Sequence, residues 1–284
     1  MNHQCTFIVP CYKETPDVII RTVEDLTKVA CSITSLDYEI IVVNDGMRID
    51  TFPSFADSHI QIINHDHNLG YGASLMSGIL KANYEWIGII DADGTYPASD
   101  FERLFEYIDT SDMVVGCRRW QDISFIRRIP KYILQKLASF IADFTIPDLN
   151  SGMRLFKKEI ALKYRKLFPK RYSFTTTITM ICITNFYNVK FLDIPYYKRI
   201  GHSGIKPVRD TLLFFSLIFR LGLYFKPLRF FIPLSGFCSL LAVGRGLRDV
   251  IADNHFGGLT LILCFMAFQI FFFGLIAEII NKKL

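Results

Sequence analysis

Trp86-Ile87-Gly88-Ile89-Ile90-Asp91-Ala92-Asp93-Gly94 reads as a buried strand that ends on two carboxylates. The apolar run has the length of a strand, and the turn residues Gly94 and Pro97 close it. In a sheet covered by helices, ligands gather at the carboxyl ends of the strands. Asp91 and Asp93, at i and i+2, point to one side and form a hard-oxygen pair suited to Mg²⁺ or Mn²⁺ shared with a diphosphate. A solvated turn produces the same short pattern, so its neighbours along the chain have to decide.

Outward from this stretch, short apolar or β-branched runs recur at Thr6–Pro10, Tyr38–Val43, Ile60–Ile63 and Met113–Val115. Helical patterns separate them at Pro16–Ala30, Gly72–Ala82 and Ala98–Ile108. This order predicts an α/β domain with a mostly parallel sheet between helices. Three strand ends then carry polar clusters: Pro10-Cys11-Tyr12-Lys13-Glu14, Asn44-Asp45-Gly46, and Asp91-Ala92-Asp93-Gly94.

The other end of the chain has a different character. The 284 residues are 51% apolar, with a mean hydropathy of +0.27, above soluble composition. Leu259–Ile280, interrupted by Gln269 and Glu278, reaches roughly 33 Å as a helix and spans a bilayer. Phe230–Ile251 carries Arg245, Arg248 and Asp249 in its last third, so it reads as a second span, tilted or re-entrant. Asp253 to Gly258 joins the two as a turn. Lys226, Arg229, Lys282 and Lys283 place both ends in the cytoplasm by the positive-inside bias, against the vote of Arg245 and Arg248. Asp210–Phe225 reads as a helix along the headgroups, with a third span as its rival. Arg127–Phe144 is amphipathic, interfacial or packed on the domain.

Charge divides the chain as sharply. Residues 1–116 hold 6 Lys/Arg against 18 Asp/Glu, and residues 117–229 hold 22 against 6. A basic block running into apolar sequence implies anionic headgroups and phosphates, and no nucleic acid. Seven scattered cysteines without C-x-x-C imply neither a zinc site nor a disulfide framework. Met1–Gln4 and the short Phe7–Pro10 run do not form a signal peptide. The expected organisation is a catalytic domain over 1–206, an interfacial helix over 207–227 and a hairpin over 228–284.

Val9-Pro10-Cys11-Tyr12-Lys13-Glu14, Val42 to Gly46, Asn68-Leu69-Gly70-Tyr71-Gly72-Ala73, Asp91 to Gly94 and Val115 to Arg119 resemble, in order and spacing, the GT-A fold glycosyltransferases of family 2. Asp148 to Phe156 and Arg199 to Lys206 narrow the resemblance to the polyprenyl-phosphate branch, which includes dolichyl-phosphate mannose synthases. The resemblance implies that Pro10, Tyr12, Glu14, Asp45, Gly70 and Gly72 seat a nucleotide-sugar. Asp45 would accept a hydrogen bond from a uracil-type base, favouring a UDP-sugar over GDP-mannose. Asp91, Asp93 and Thr95 would hold Mg²⁺ or Mn²⁺, Asp91 and Asp93 also meeting the nucleotide-sugar, and Asp93, Asp148, Arg118 and Arg154 would be catalytic. Arg118, Arg119, Arg154, Arg199, Ser203 and Lys206 would meet the phosphate of polyprenyl phosphate, and Asp148 would orient the acceptor or act as a base.

The implied reaction is inverting transfer of a monosaccharide to polyprenyl phosphate. A phosphate monoester has a second pKa of about 6, so the nucleophile is already anionic at neutral pH and positioning is the main demand. Two positions depart from the family: Asn44 stands where Asp is usual, and Thr95 where Gln is usual. Two readings stay open beside this one, transfer to a hydroxyl acceptor and an inactive membrane scaffold. After the metal motif, the Glu-Asp pair and the Gln-x-x-Arg-Trp run common with hydroxyl acceptors are absent. Membrane lipids are expected neighbours, and self-association is open.

Overall fold

The computed structural model describes residues 3–119, 125–171, 173–198 and 207–282. Five strands follow the sequence signals: β1 (His3–Cys11), β2 (Leu36–Asp45), β3 (Ile60–His65), β4 (Trp86–Ile89) and β5 (Met113–Arg118). Two more, β6 (Arg154–Lys157) and β7 (Val189–Ile194), complete a seven-stranded sheet in the order β3-β2-β1-β4-β6-β5-β7. β6 enters antiparallel between β4 and β5, and every other pairing is parallel. The antiparallel entry has a geometric result. The loop before β6 arrives at the same sheet edge as the carboxyl ends of β1, β2, β4 and β5.

Side-chain alternation assigns the two faces. On β1, Phe7 and Val9 pack under α1 (Pro16–Ser32) and α3 (Asp100–Phe105), with Leu26, Phe101 and Leu104. Ile8 faces the opposite way, onto Leu75 and Ile79 of α2 (Tyr71–Lys81) and Phe174 and Ile178 of α6 (Phe174–Thr184). All are fully buried, and each side chain of this kind contributes about 1.5–3 kcal/mol on leaving water.

Four elements carry little sequence signal: β6, α5 (Lys158–Lys163), α6 and β7. Phe174–Thr184 is rich in Thr and Ile, a strand-like composition, yet it is helical and buried along its whole length. Packing on every side overrides propensity there.

α4 (Phe125–Ala142) ends where Asp143 takes a left-handed φ of 56°. α7 (Pro207–Phe225) lies against it, so that Leu134, Ala138 and Ile141 of α4 share a core with Met180 of α6 and Ile218 and Leu221 of α7. Tyr132, Ile133 and Phe140 stay exposed on the outer side of α4. The rival reading of α7 as a third span finds no support, since the helices long and apolar enough to cross a membrane number two among the described residues. These are α8 (Leu228–Asp253) and α9 (Gly258–Lys282), which form an antiparallel hairpin closed by Asn254 at φ 56°. Two of the polar residues that weakened the reading of α8, Arg245 and Asp249, are used within the hairpin. Asp249 pairs with Arg245 at 3.0 Å and accepts from Gly257 N–H and Thr260 Oγ1 at the start of α9.

Candidate active site

Asp91 and Asp93 emerge just past β4. Tyr71 Oη donates to Asp91 Oδ1 at 2.8 Å. Burial, then the charge and hydrogen bond of Asp91, push the Tyr71 phenol well above its ordinary value, so it remains a donor. On the other side Asp91 lies on Gly152, where an added Cβ would sit 2.1 Å from Oδ2. Asp93 is buried and accepts from Thr95 N–H at 3.0 Å and Thr95 Oγ1 at 2.5 Å. Thr95, expected as a metal contact, is fully buried and directs its hydroxyl to Asp93 instead. The shorter side chain braces the Asp93 carboxylate.

The donor set fits a hard divalent ion. Among the described residues no group of three or more His, Cys, Asp or Glu side chains converges. Two carboxylates with substrate phosphates and waters are the usual Mg²⁺ arrangement. Asp91 and Asp93 are the residues that would hold it.

The adjoining half of the edge is basic. Arg118, at the end of β5, grips Asp148 through Nε at 2.7 Å and Nη2 at 2.9 Å, and Lys131 Nζ of α4 lies 3.1 Å from the same carboxylate. Arg118 N–H and Asn150 N–H also donate to Asp148. Burial pushes the Asp148 carboxyl up, but the charges and hydrogen bonds of Arg118 and Lys131 override it and hold it well below the usual carboxylate range. Asp148 is therefore locked ionised, and of its two expected roles the geometry leaves orientation, not base. Two cations on one carboxylate leave the cluster one positive charge in excess. Arg119 is exposed beside it.

Arg154 departs from its expected place on a phosphate. It is fully buried and donates to Ser151 O, Thr175 O and Thr179 Oγ1 at 2.5, 3.1 and 2.9 Å. It therefore lies beneath the site, tying the 148–153 loop to α6. Arg199, Ser203 and Lys206 lie outside the described residues.

Two tyrosines join the halves. Gly152 N–H donates to Tyr96 Oη at 2.8 Å, and Tyr96 meets Tyr196 edge-on at 5.2 Å. Arg118 sits 5.4 Å over the Tyr196 ring, and Tyr197 N–H donates to Thr95 O. Tyr96 and Tyr196 escaped the sequence reading, and Tyr71 stood in a quoted motif without a role. The only signal was their adjacency to Gly70, Thr95 and a proline.

The expected nucleotide residues separate. Glu14 Oε2 accepts from Tyr12 N–H and Lys13 N–H, shaping the turn after β1 beside Pro10, and Tyr12 is exposed. Asp45 is buried and already accepts from His65 Nδ1, Leu69 N–H and Gly70 N–H, all at 2.8 Å. These bonds order the 67–70 loop. Gly70 and Gly72 also meet a distant part of the chain. A Cβ on Gly72 would stand 2.1 Å from Pro169 O, and Gly72 N–H and Ala73 N–H donate to Arg171 O and Lys170 O. These glycines admit the 169–171 segment, and the amides expected to face an anion are taken by carbonyls. Asn44 accounts for its departure from Asp: Nδ2 donates to Asn64 Oδ1 and Met47 O, which a carboxylate cannot do.

Sheet order, the β4-end carboxylates and the antiparallel β6 define a GT-A fold. A solved structure of glucosyl-3-phosphoglycerate synthase from Mycobacterium tuberculosis, in complex with Mn²⁺, UDP-glucose and phosphoglyceric acid, shares this fold at a TM-score of 0.58 and 10% identity over 78% of this chain and 80% of that one. Residues 6–165 match glycosyl transferase family 2, and the chain belongs to that family. Residues 226–282 match the GtrB C-terminal hairpin. A dolichyl-phosphate beta-glucosyltransferase of Trichomonas vaginalis is 28% identical over 77% of this chain and 72% of its own length. An undecaprenyl-phosphate 4-deoxy-4-formamido-L-arabinose transferase of Enterobacter sp. (strain 638) is 24% identical over 99% of this chain and 89% of its own.

Proposed function

We propose that this protein is an integral membrane enzyme that transfers a monosaccharide from a nucleoside-diphosphate sugar to polyprenyl phosphate, with inversion, the sheet domain and both termini lying in the cytoplasm. The observation that carries this reading is the meeting, at one sheet edge, of the Asp91–Asp93 pair with the positive Arg118–Lys131–Asp148 cluster. The relatives named for dolichyl and undecaprenyl phosphate support the acceptor class. With Asp45 committed to its loop, UDP-glucose is the first donor to test on the strength of the similar fold solved with it and the glucosyltransferase relative.

A bound divalent ion would neutralise charge on the leaving diphosphate. The chain's own residues do the rest. Tyr71 and Gly152 fix the Asp91 carboxylate, and Thr95 fixes Asp93. Asp148 orients Arg118 and Lys131, whose surplus charge draws in the lipid phosphate. Its oxygen then attacks the anomeric carbon as the bond to the diphosphate breaks. The phosphate arrives ionised, so no base is required. The rival hydroxyl acceptor needs one, and Asp148 is held ionised by two cations.

The test is product formation by the purified full chain in detergent, with undecaprenyl phosphate, Mg²⁺ or Mn²⁺ and a panel of UDP- and GDP-sugars. Transfer with one donor, lost by about 10³-fold in Asp93→Ala, is the expected result. Folded protein that binds the lipid phosphate yet transfers from no donor would overturn it.

A further inference from the structure

α6 ends in an unusual way. Tyr187 N–H donates to Cys182 O and Phe186 N–H to Ile183 O, the paired bonds of a helix stop whose penultimate residue must be left-handed. Glycine or asparagine is the ordinary choice there. This chain places Phe186 at φ 61° and leaves its side chain 86% exposed. A bulky residue at positive φ is strained, so the ring is held outward against a backbone preference.

The surroundings say what it faces. Lys226 Nζ lies 4.9 Å from the Phe186 ring, and Lys226 stands two residues before Leu228, where α8 begins. Tyr187 follows, with Lys163 Nζ 3.5 Å from its hydroxyl and 5.3 Å from the Tyr164 ring. Tyr164 in turn packs edge-on against Phe225, the last residue of α7. An exposed aromatic tip, flanked by tyrosines and lysines at the level where the chain enters its apolar hairpin, has the composition of a bilayer interface.

We infer that the α6–β7 turn is a membrane foot: the Phe186 ring enters the acyl boundary of the bilayer while Lys163 and Lys226 meet anionic phospholipid headgroups. The inference rests on the membrane reading of the hairpin. It gives the sheet domain a second attachment, independent of the covalent link through α7. Two attachments fix the domain's tilt, and so the height of the Arg118 cluster above the lipid.

The experiment uses the full chain reconstituted in phosphatidylglycerol-containing bilayers. In Phe186→Trp, the emission added over the native Trp86 and Trp120 should be blue-shifted, insensitive to aqueous iodide, and reduced by about half when the lipids are brominated high on the acyl chain, as for a ring at interfacial depth. Quenching by iodide and not by bromolipid would overturn the foot as a solvated turn. Shielding from both would overturn it as a protein contact. Phe272→Trp on α9 separates the two readings: if this residue also escapes the bromolipid, the membrane reading fails and takes the foot with it. Phe186→Gly should keep or raise thermal stability, because glycine suits the left-handed position; a clear loss would mean that the ring packs for the fold and would also overturn the proposal.

Discussion

The sheet domain and the hairpin obey one burial rule with the solvent exchanged. In the sheet, Phe7, Ile8 and Ile41 are sealed inside. In the hairpin, Leu240 is 73% exposed and Phe265 62%, while Ser235, Asp249 and Thr260 are buried between the helices. Ser235 Oγ crosses to Ala267 O at 2.8 Å, and Asp249 caps α9. In the hairpin these polar groups turn inward while large apolar side chains line the outside. Each region also holds a nearly sealed carboxylate against an arginine, as in Asp148 with Arg118 and Asp249 with Arg245.

The comparison breaks first at Asp148. Asp148→Ala leaves two cations facing each other at a desolvated site and is expected to cost about 3–5 kcal/mol, read as a fall in the unfolding midpoint of the detergent-solubilised protein. Because the folded pKa lies below the unfolded value of about 3.9, this stabilisation is complete above the ordinary carboxylate range and is lost only as pH falls through the lower folded value. The gap between wild type and Asp148→Asn should therefore hold constant from pH 7 to pH 5; a gap that closes across that window would mean that the pair is not ionised as described.

The exchange of solvents is tested by a matched pair. Leu240→Arg should cost about 3 kcal/mol in membrane integration, whereas Leu162→Arg, on an exposed position of α5, should stay within about 0.5 kcal/mol. Equal, small effects in an insertion assay would show that water bathes both surfaces.

A smaller effect sharpens the coupling of the two halves of the site. Gly152→Ala drives a methyl into Asp91 and should destabilise the fold by about 1–3 kcal/mol, with kcat falling about 10²-fold as Asp91 moves. Unchanged kcat would separate Asp91 from the chemistry. The smallest expected change is Ser235→Ala, about 0.6 kcal/mol for one interhelical hydrogen bond, measured by unfolding in detergent.

The sequence made some of this architecture legible and concealed the rest for identifiable reasons. β1 to β5 are apolar runs whose neighbours in the chain include their sheet partners or covering helices, and the hairpin spans announce themselves by length. β6 has four residues and takes its place only because β4 and β5 leave a gap for it. α6 is strand-like in composition and helical by packing. In the site, Asp91 and Asp93 stood out because a strand and a turn frame them. The partners of Asp45, Gly70 and Gly72 stayed hidden because they lie elsewhere in the chain, Pro169–Arg171 being about a hundred residues from the glycines. Arg154 looked like an anion ligand, since nothing local reveals that Thr175 and Thr179 enclose it.

The inserted β6 also dictates an order of events during synthesis. β4 gains its second neighbour, and β5 its first, only when residues 154–157 arrive. Until Lys157 has cleared the ribosome, the free edge of β4 and both edges of β5 stand open, the kind of surface that pairs with other chains. The four-strand unit β3-β2-β1-β4 can assemble while translation continues, but its β4 edge needs shelter until the loop carrying Asp148 and Gly152 has emerged. The segment that joins the two halves of the site is thus also the one that closes the β4 edge of the nascent sheet, and β7 later closes the far edge of β5.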